Sequence, residues 1–107
     1  MAKESNPFSV IQNNEVINYV EKCEGYTIIT LSNTEQIISD FSLGSLEKLL
    51  PCDKFMRVHK AFIVKTSFIS EIVQIGNSHQ ALLKNGKRIL ISKRKKSVLF
   101  SKLIPNN

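Results

Sequence analysis

Apolar and polar positions alternate through most of the first forty or so residues, and a period of two predicts strands. After a loose polar leader at 1–7, Phe8 to Ile11 and Glu15 to Glu21 read as extended segments divided by a turn at Gln12, Asn13 and Asn14. Tyr26 to Leu31 sets Tyr, Thr and Ile in succession, side chains whose shapes suit a pleated surface. Ser32, Asn33 and Thr34 break that run before Glu35 to Phe41, so these segments pair as a hairpin. The period then lengthens: Leu43, Leu46, Leu49 and Leu50 recur at helical spacing behind Ser42 as a cap, and Pro51 closes the segment. Gly44 costs this short helix about 1 kcal/mol relative to Ala, so burial of the Leu stripe must hold it. Farther on, Phe68 to Ile75, Gln80 to Lys84 and Lys87 to Ile91 predict a meander turning at Gly76-Asn77 and at Asn85-Gly86. The second turn suits the positive φ angles of a type I′ hairpin. Ser92 to Leu103 returns to helical spacing, with Val98, Leu99 and Leu103 on one side.

These elements define a mostly β chain with one short internal helix and a short C-terminal helix. The 107 residues fit one domain, spanning 8–104 with a tail at 105–107, and 42% apolar content is enough for a core without metal or disulfide staples. No apolar run approaches the ~18–20 residues of a membrane-spanning helix, and the polar start lacks a hydrophobic signal region. The expectation is a soluble cytoplasmic protein with no membrane partner. Cys23 and Cys52 stand apart, neither as a disulfide scaffold nor as a zinc site. His59 and His79 are the only neutral-pH bases, neither lies near a Cys or carboxylate in a nucleophile arrangement, and no Gly-rich phosphate cradle exists. The chain reads as a non-enzyme without cofactor or metal.

Charge changes the picture. Residues 1–71 carry seven basic and nine acidic side chains, whereas everything beyond Glu71 carries eight Lys or Arg and no acid. The densest part holds Lys84, Lys87, Arg88, Lys93, Arg94, Lys95 and Lys96. Lys93 to Lys96 would form the first turn of a helix, where free N–H groups and the helix dipole disfavour cations by about 0.3–1 kcal/mol. Such a cluster makes physical sense when a polyanion supplies the missing charge; the plainer reading is a solvated face that keeps the protein soluble. A second candidate is FMRVHKAFIV, Phe55 to Val64, where Arg57, His59 and Lys60 sit in a loop pinned by apolar anchors on both sides. A pinned loop holds its polar tips in place, which base reading requires. The aromatics form no row of stacking residues for single strands or RNA. The last helix has too little free apolar surface for anionic lipid. The position of the cluster at a helix start favours a nucleic acid as the partner, with an acidic protein as the rival.

The order of these signals resembles the LytTR DNA-binding domain of bacterial response regulators. The resemblance is carried by VINYVEKCEGYTIITL (Val16 to Leu31), SLEKLL (Ser45 to Leu50), FMRVHKAFIV, ISEI (Ile69 to Ile72) and LLKNGKRILISKRKKSVL (Leu82 to Leu99). It implies an elongated domain of small antiparallel sheets packed in layers. It also implies a transcription regulator that inserts loops, not a recognition helix, into successive major grooves at paired direct repeats in promoter DNA, a second copy sharing the site. The implied base contacts are Tyr26, with Lys22 in support, then Lys60 beside His59, then Arg94, with Lys93 as its rival. Arg57, His59, Lys84, Lys87, Arg88, Lys93, Lys95 and Lys96 would supply phosphate or secondary contacts, although Lys84 and Lys87 equally flank an exposed turn. Lys65 stands where the family usually has Asn, and Lys60 replaces side chains that read bases more selectively. No phosphoacceptor receiver domain precedes the domain in this sequence, so it is either an excised effector domain, with its upstream receiver or sensor partner not in this chain, or a small regulator governed in another way.

Overall fold

Asn6 and Pro7 open a helix where alternation suggested a strand. A computed structural model describes residues 6–95, and in it α1 (Pro7–Gln12) begins with the Asn6 side chain accepting from Ser9 N–H, with Pro at the first helical position. Asx capping and a proline pre-set to helical φ outweigh the two-residue alternation of Phe8 and Val10. A 3-10 turn (Asn14–Val16) leads into β1 (Ile17–Cys23), β2 (Tyr26–Leu31) and β3 (Gln36–Ser39). Next comes α2 (Leu43–Leu49), capped as expected by Ser42, whose Oγ accepts from Ser45 N–H at 3.0 Å. The segment read as a pinned loop is itself a hairpin, β4 (Phe55–His59) and β5 (Phe62–Lys65), turning at Lys60-Ala61. No Gly or Asn marks that turn, so the pattern hid it. A 3-10 turn (Thr66–Phe68) precedes the meander of β6 (Ile69–Ile75), β7 (Ser78–Leu83) and β8 (Arg88–Ile91).

The strands form two antiparallel sheets, one of five in the order β3-β2-β1-β5-β4 and one of three in the order β6-β7-β8. The larger sheet is buried on both faces. On one side Ile17, Val20, Ile29 and Ile63 pack with Val10 of α1 and with Leu43, Leu46 and Leu50 of the α2 segment. On the other, Tyr19, Met56, Val58 and Val64 meet Ile69, Ala81, Leu83, Ile89 and Ile91 of the smaller sheet. Helices, large sheet and small sheet thus make successive layers, and the principal extents of 44 × 31 × 25 Å give an elongated body. Burying a Leu contributes about 1.5–3 kcal/mol; Leu43, Leu46 and Leu50 together more than offset the cost of Gly44. The C-terminal helix enters the description only as helical backbone at 93–95; the remainder of that predicted helix, including Lys96, lies outside the described residues.

Two turns share one geometry. At Asn85-Gly86 the type I′ expectation fails, because only Gly86 has positive φ (+91°) and Asn85 does not. Gly86 N–H donates to Leu83 O, and Leu83 N–H donates to Lys87 O, closing a three-residue loop with the glycine in the left-handed position. Asn85 Oδ1 accepts from Lys87 N–H (3.1 Å), which fixes the loop's exit. Leu31 to Glu35 repeats every part of this: Thr34 N–H donates to Leu31 O, Leu31 N–H to Glu35 O, and Asn33 Oδ1 accepts from Glu35 N–H (2.9 Å). There the left-handed position belongs to Thr34, at φ +73°, a strained conformation for a β-branched residue. Thr34→Gly is therefore expected to stabilise the fold by about 1 kcal/mol, read as a higher urea midpoint at constant slope.

Candidate nucleic-acid interface

Backbone hydrogen bonds gather the predicted contact segments at one end of the molecule. Lys22 N–H, near the tip of the β1–β2 hairpin, donates to Ala61 O at the β4–β5 tip (2.8 Å). Ser92 N–H, immediately after β8, donates to Val58 O of β4 (2.9 Å). The β4–β5 hairpin thus stands between the other two segments and touches both. β8 crosses over the large sheet to get there: Lys87 at its start lies over the rings of Tyr19 and Phe62, at 6.0 and 5.6 Å, and Ser92 reaches the edge strand β4.

Each tip presents polar groups on an apolar base. In the first, Tyr26 opens β2 opposite Cys23 and is 40% exposed, and Lys22 is exposed beside it. In the second, Lys60 is exposed at the turn while Phe55, Met56, Val58, Ile63 and Val64 behind it are buried. His59 and Arg57 are half-buried and face inward to the turn: His59 Nδ1 accepts from Ala61 N–H (3.1 Å), and Arg57 Nη2 donates to Lys60 O (2.8 Å). In the third, Lys93 and Arg94 are exposed and Lys95 half-buried, with Lys95 N–H donating to Ser92 O (3.0 Å) to close the first helical turn. A cleft lined by His59, Ser92 and Lys93 joins the second and third tips. Lys95 borders another depression with Glu47 and Arg57.

Among the described residues the basic run from Lys84 to Lys95 is spread over the fold, with Lys84 near Lys65 and Lys93 beside His59. Lys84 N–H donates to Phe68 O, and Asn85 Nδ2 donates to the Tyr19 hydroxyl (3.5 Å). These bonds seat the β7–β8 turn on Phe68 and Tyr19, with Lys87 reaching from it to the ring of Phe62 at the start of β5. Lys84 is close enough to Lys65, at the far end of β5, to help hold its ammonium below the ordinary lysine range. Burial is the larger cause there, Lys54 adds to it, and Glu15 opposes it. Lys65 Nζ also donates to Glu15 O (2.8 Å), so Lys65 serves as a tie between β5 and the chain before β1. Arg88 is exposed on β8, and Lys87 is half-buried against its two rings. Glu47 of α2, which sequence reasoning did not single out, makes an ion pair with Arg57 (3.1 Å). No local pattern signals a partnership between a helix and a strand ten residues on.

A family model, the LytTr DNA-binding domain, matches residues 9–104. Among curated proteins the chain is 33% identical over 85 residues to the sensory transduction protein LytT of Bacillus subtilis, covering 78% of this chain and 35% of that protein. It is 34% identical over 85 residues to the proteins of the same name from Bacillus cereus and Bacillus anthracis, covering 78% of this chain and 34% of each. The chain thus spans about a third of the length of the curated relatives it matches. A solved LytTr DNA-binding domain of a Bacillus cereus response regulator superposes with a TM-score of 0.74 at 26% identity, covering 85% of this chain and 84% of that one. The two-sheet architecture and the family match agree: this is a DNA-binding domain of the class found in response regulators, and that family is not an enzyme class. The chain belongs to the LytTr DNA-binding domain family. Among the described residues no helix is long and apolar enough to cross a membrane.

Proposed function

We propose that this domain is the effector part of a two-component transcription regulator in the cytoplasm and binds promoter DNA by inserting its tips into successive major grooves. Tyr26 with Lys22 forms the first contact, Lys60 the second and Arg94 the third. Lys93 and Lys95 hold nearby phosphates. Two copies occupy direct repeats about one helical turn, or a multiple of it, apart. The observation that carries this reading is the pair of backbone bonds, Lys22 N–H to Ala61 O and Val58 O to Ser92 N–H, which tie three separate segments with exposed cations into one edge. Tips seated on buried strands keep their spacing, and a fixed spacing is what matching to a helical repeat demands.

Selection of bound duplexes from a random pool tests it directly. The expected result is enrichment of a short motif occurring twice in the same orientation, with centres about 10–10.5 base pairs, or a multiple of that, apart. A pool that stays random after repeated rounds would defeat sequence-specific binding.

A further inference from the structure

Three of the four polar backbone groups of the Lys60-Ala61 turn are already bound. Lys60 C=O accepts from Arg57 Nη2 (2.8 Å), Ala61 C=O accepts from Lys22 N–H (2.8 Å), and Ala61 N–H donates to His59 Nδ1 (3.1 Å). Arg57 is gripped from its other side as well, since Nη1 donates to Glu47 Oε1 at 3.1 Å. A guanidinium is a rigid planar fork; two partners on two of its nitrogens fix its plane, and that plane fixes the Lys60 carbonyl. Glu47 can act as the anchor because α2 is itself held by the buried Leu43 and Leu46. Only 25% of the Arg57 side chain is exposed, and its fork is turned to a carbonyl and a carboxylate.

We infer that Arg57 is a positioning residue for Lys60, aligned by Glu47, and not a ligand of the DNA phosphates. This rests on the reading that the β4–β5 tip enters DNA. Lysine cannot take its place, because a single ammonium on a flexible stem does not set two partners at a fixed angle. Through the bond from Lys22 to Ala61 the same brace reaches the β1–β2 tip. Helix α2 thereby governs how two of the tips are presented.

The test measures affinity for a selected duplex across a range of salt, using wild type, Arg57→Lys, Arg57→Ala, Glu47→Gln, Lys60→Ala and the Lys60→Ala, Arg57→Lys double variant. Thermal melting of each confirms that the variants are folded at the assay temperature. Both Arg57 variants are expected to bind about tenfold more weakly, the scale of one charged hydrogen bond, with an unchanged salt slope. In the Lys60→Ala background the Arg57→Lys effect should shrink to about twofold or less, as coupled neighbours require. Glu47→Gln separates the ideas most sharply: it makes the protein more positive, so charge alone predicts tighter binding, whereas loss of alignment predicts weaker binding. A salt slope reduced by about 0.9 in Arg57→Ala would make Arg57 a phosphate ligand and overturn the inference, as would tighter binding by Glu47→Gln. Wild type that titrates no duplex defeats the underlying reading instead, and does so before any variant is compared.

Discussion

Arg94→Ala is expected to weaken binding to the selected duplex by about 1–3 kcal/mol, the value of a bidentate arginine contact to guanine O6 and N7, while binding to a scrambled duplex changes far less. The position supports that role. Ser92 N–H is bonded to Val58 O, so the backbone two residues before Arg94 is registered against the edge of the large sheet, and the side chain beyond it is exposed. Lys93 is the rival, being exposed at the same turn and lining the cleft with His59. A lysine offers a point charge without the planar fork, so Lys93→Ala should lower affinity for both duplexes alike and reduce the salt slope by about 0.9. Fluorescence anisotropy with paired cognate and scrambled duplexes resolves the two. Unchanged preference in Arg94→Ala, with lost preference in Lys93→Ala, would transfer the reading role to Lys93.

Local pattern revealed most of the strands because their signals are local. The Tyr26–Leu31 run, the Gly76-Asn77 turn and the Leu stripe behind Ser42 each carry their geometry in a few consecutive residues, and each lies where expected. Phe8–Ile11 misled because two apolar residues two apart fit a strand and one helical turn about equally, and the cap at Asn6-Pro7 decided the outcome. At Phe55–Val64 the anchors were legible but the hairpin was not, since its turn uses Lys and Ala and its register shifts between Arg57 and His59. The candidate residues could be named from the sequence, but not the arrangement that brings them together. Lys22 meets Ala61 and Val58 meets Ser92 across more than thirty residues of chain, the first through the pairing of β1 with β5 in the large sheet and the second through the stacking of the small sheet on it. The same stacking divides the basic run, placing Lys84 near Lys65 while Lys93 to Lys95 join the tips.

That division makes the salt response of binding the most sensitive measure of the interface. If about six phosphates are neutralised, log affinity falls with log salt at a slope near −5, so raising salt from about 50 to 200 mM should cost about a thousandfold. An acidic protein partner would leave duplex DNA untitrated at moderate salt, and a flat response would remove DNA from consideration. The contributions should also separate by place in the fold. Lys93→Ala with Lys95→Ala is expected to bring the slope up by about 1.8, two contacts at about 0.9 each. Lys84→Ala with Lys87→Ala removes the same formal charge from a turn fastened to Phe68 and Tyr19, where one ammonium already lies over two aromatic rings. That pair should leave the slope nearly unchanged. Equal effects of the two double variants would mean that DNA follows total charge and not the edge built by the three tips, because counterion release registers only those cations that come to rest against phosphate.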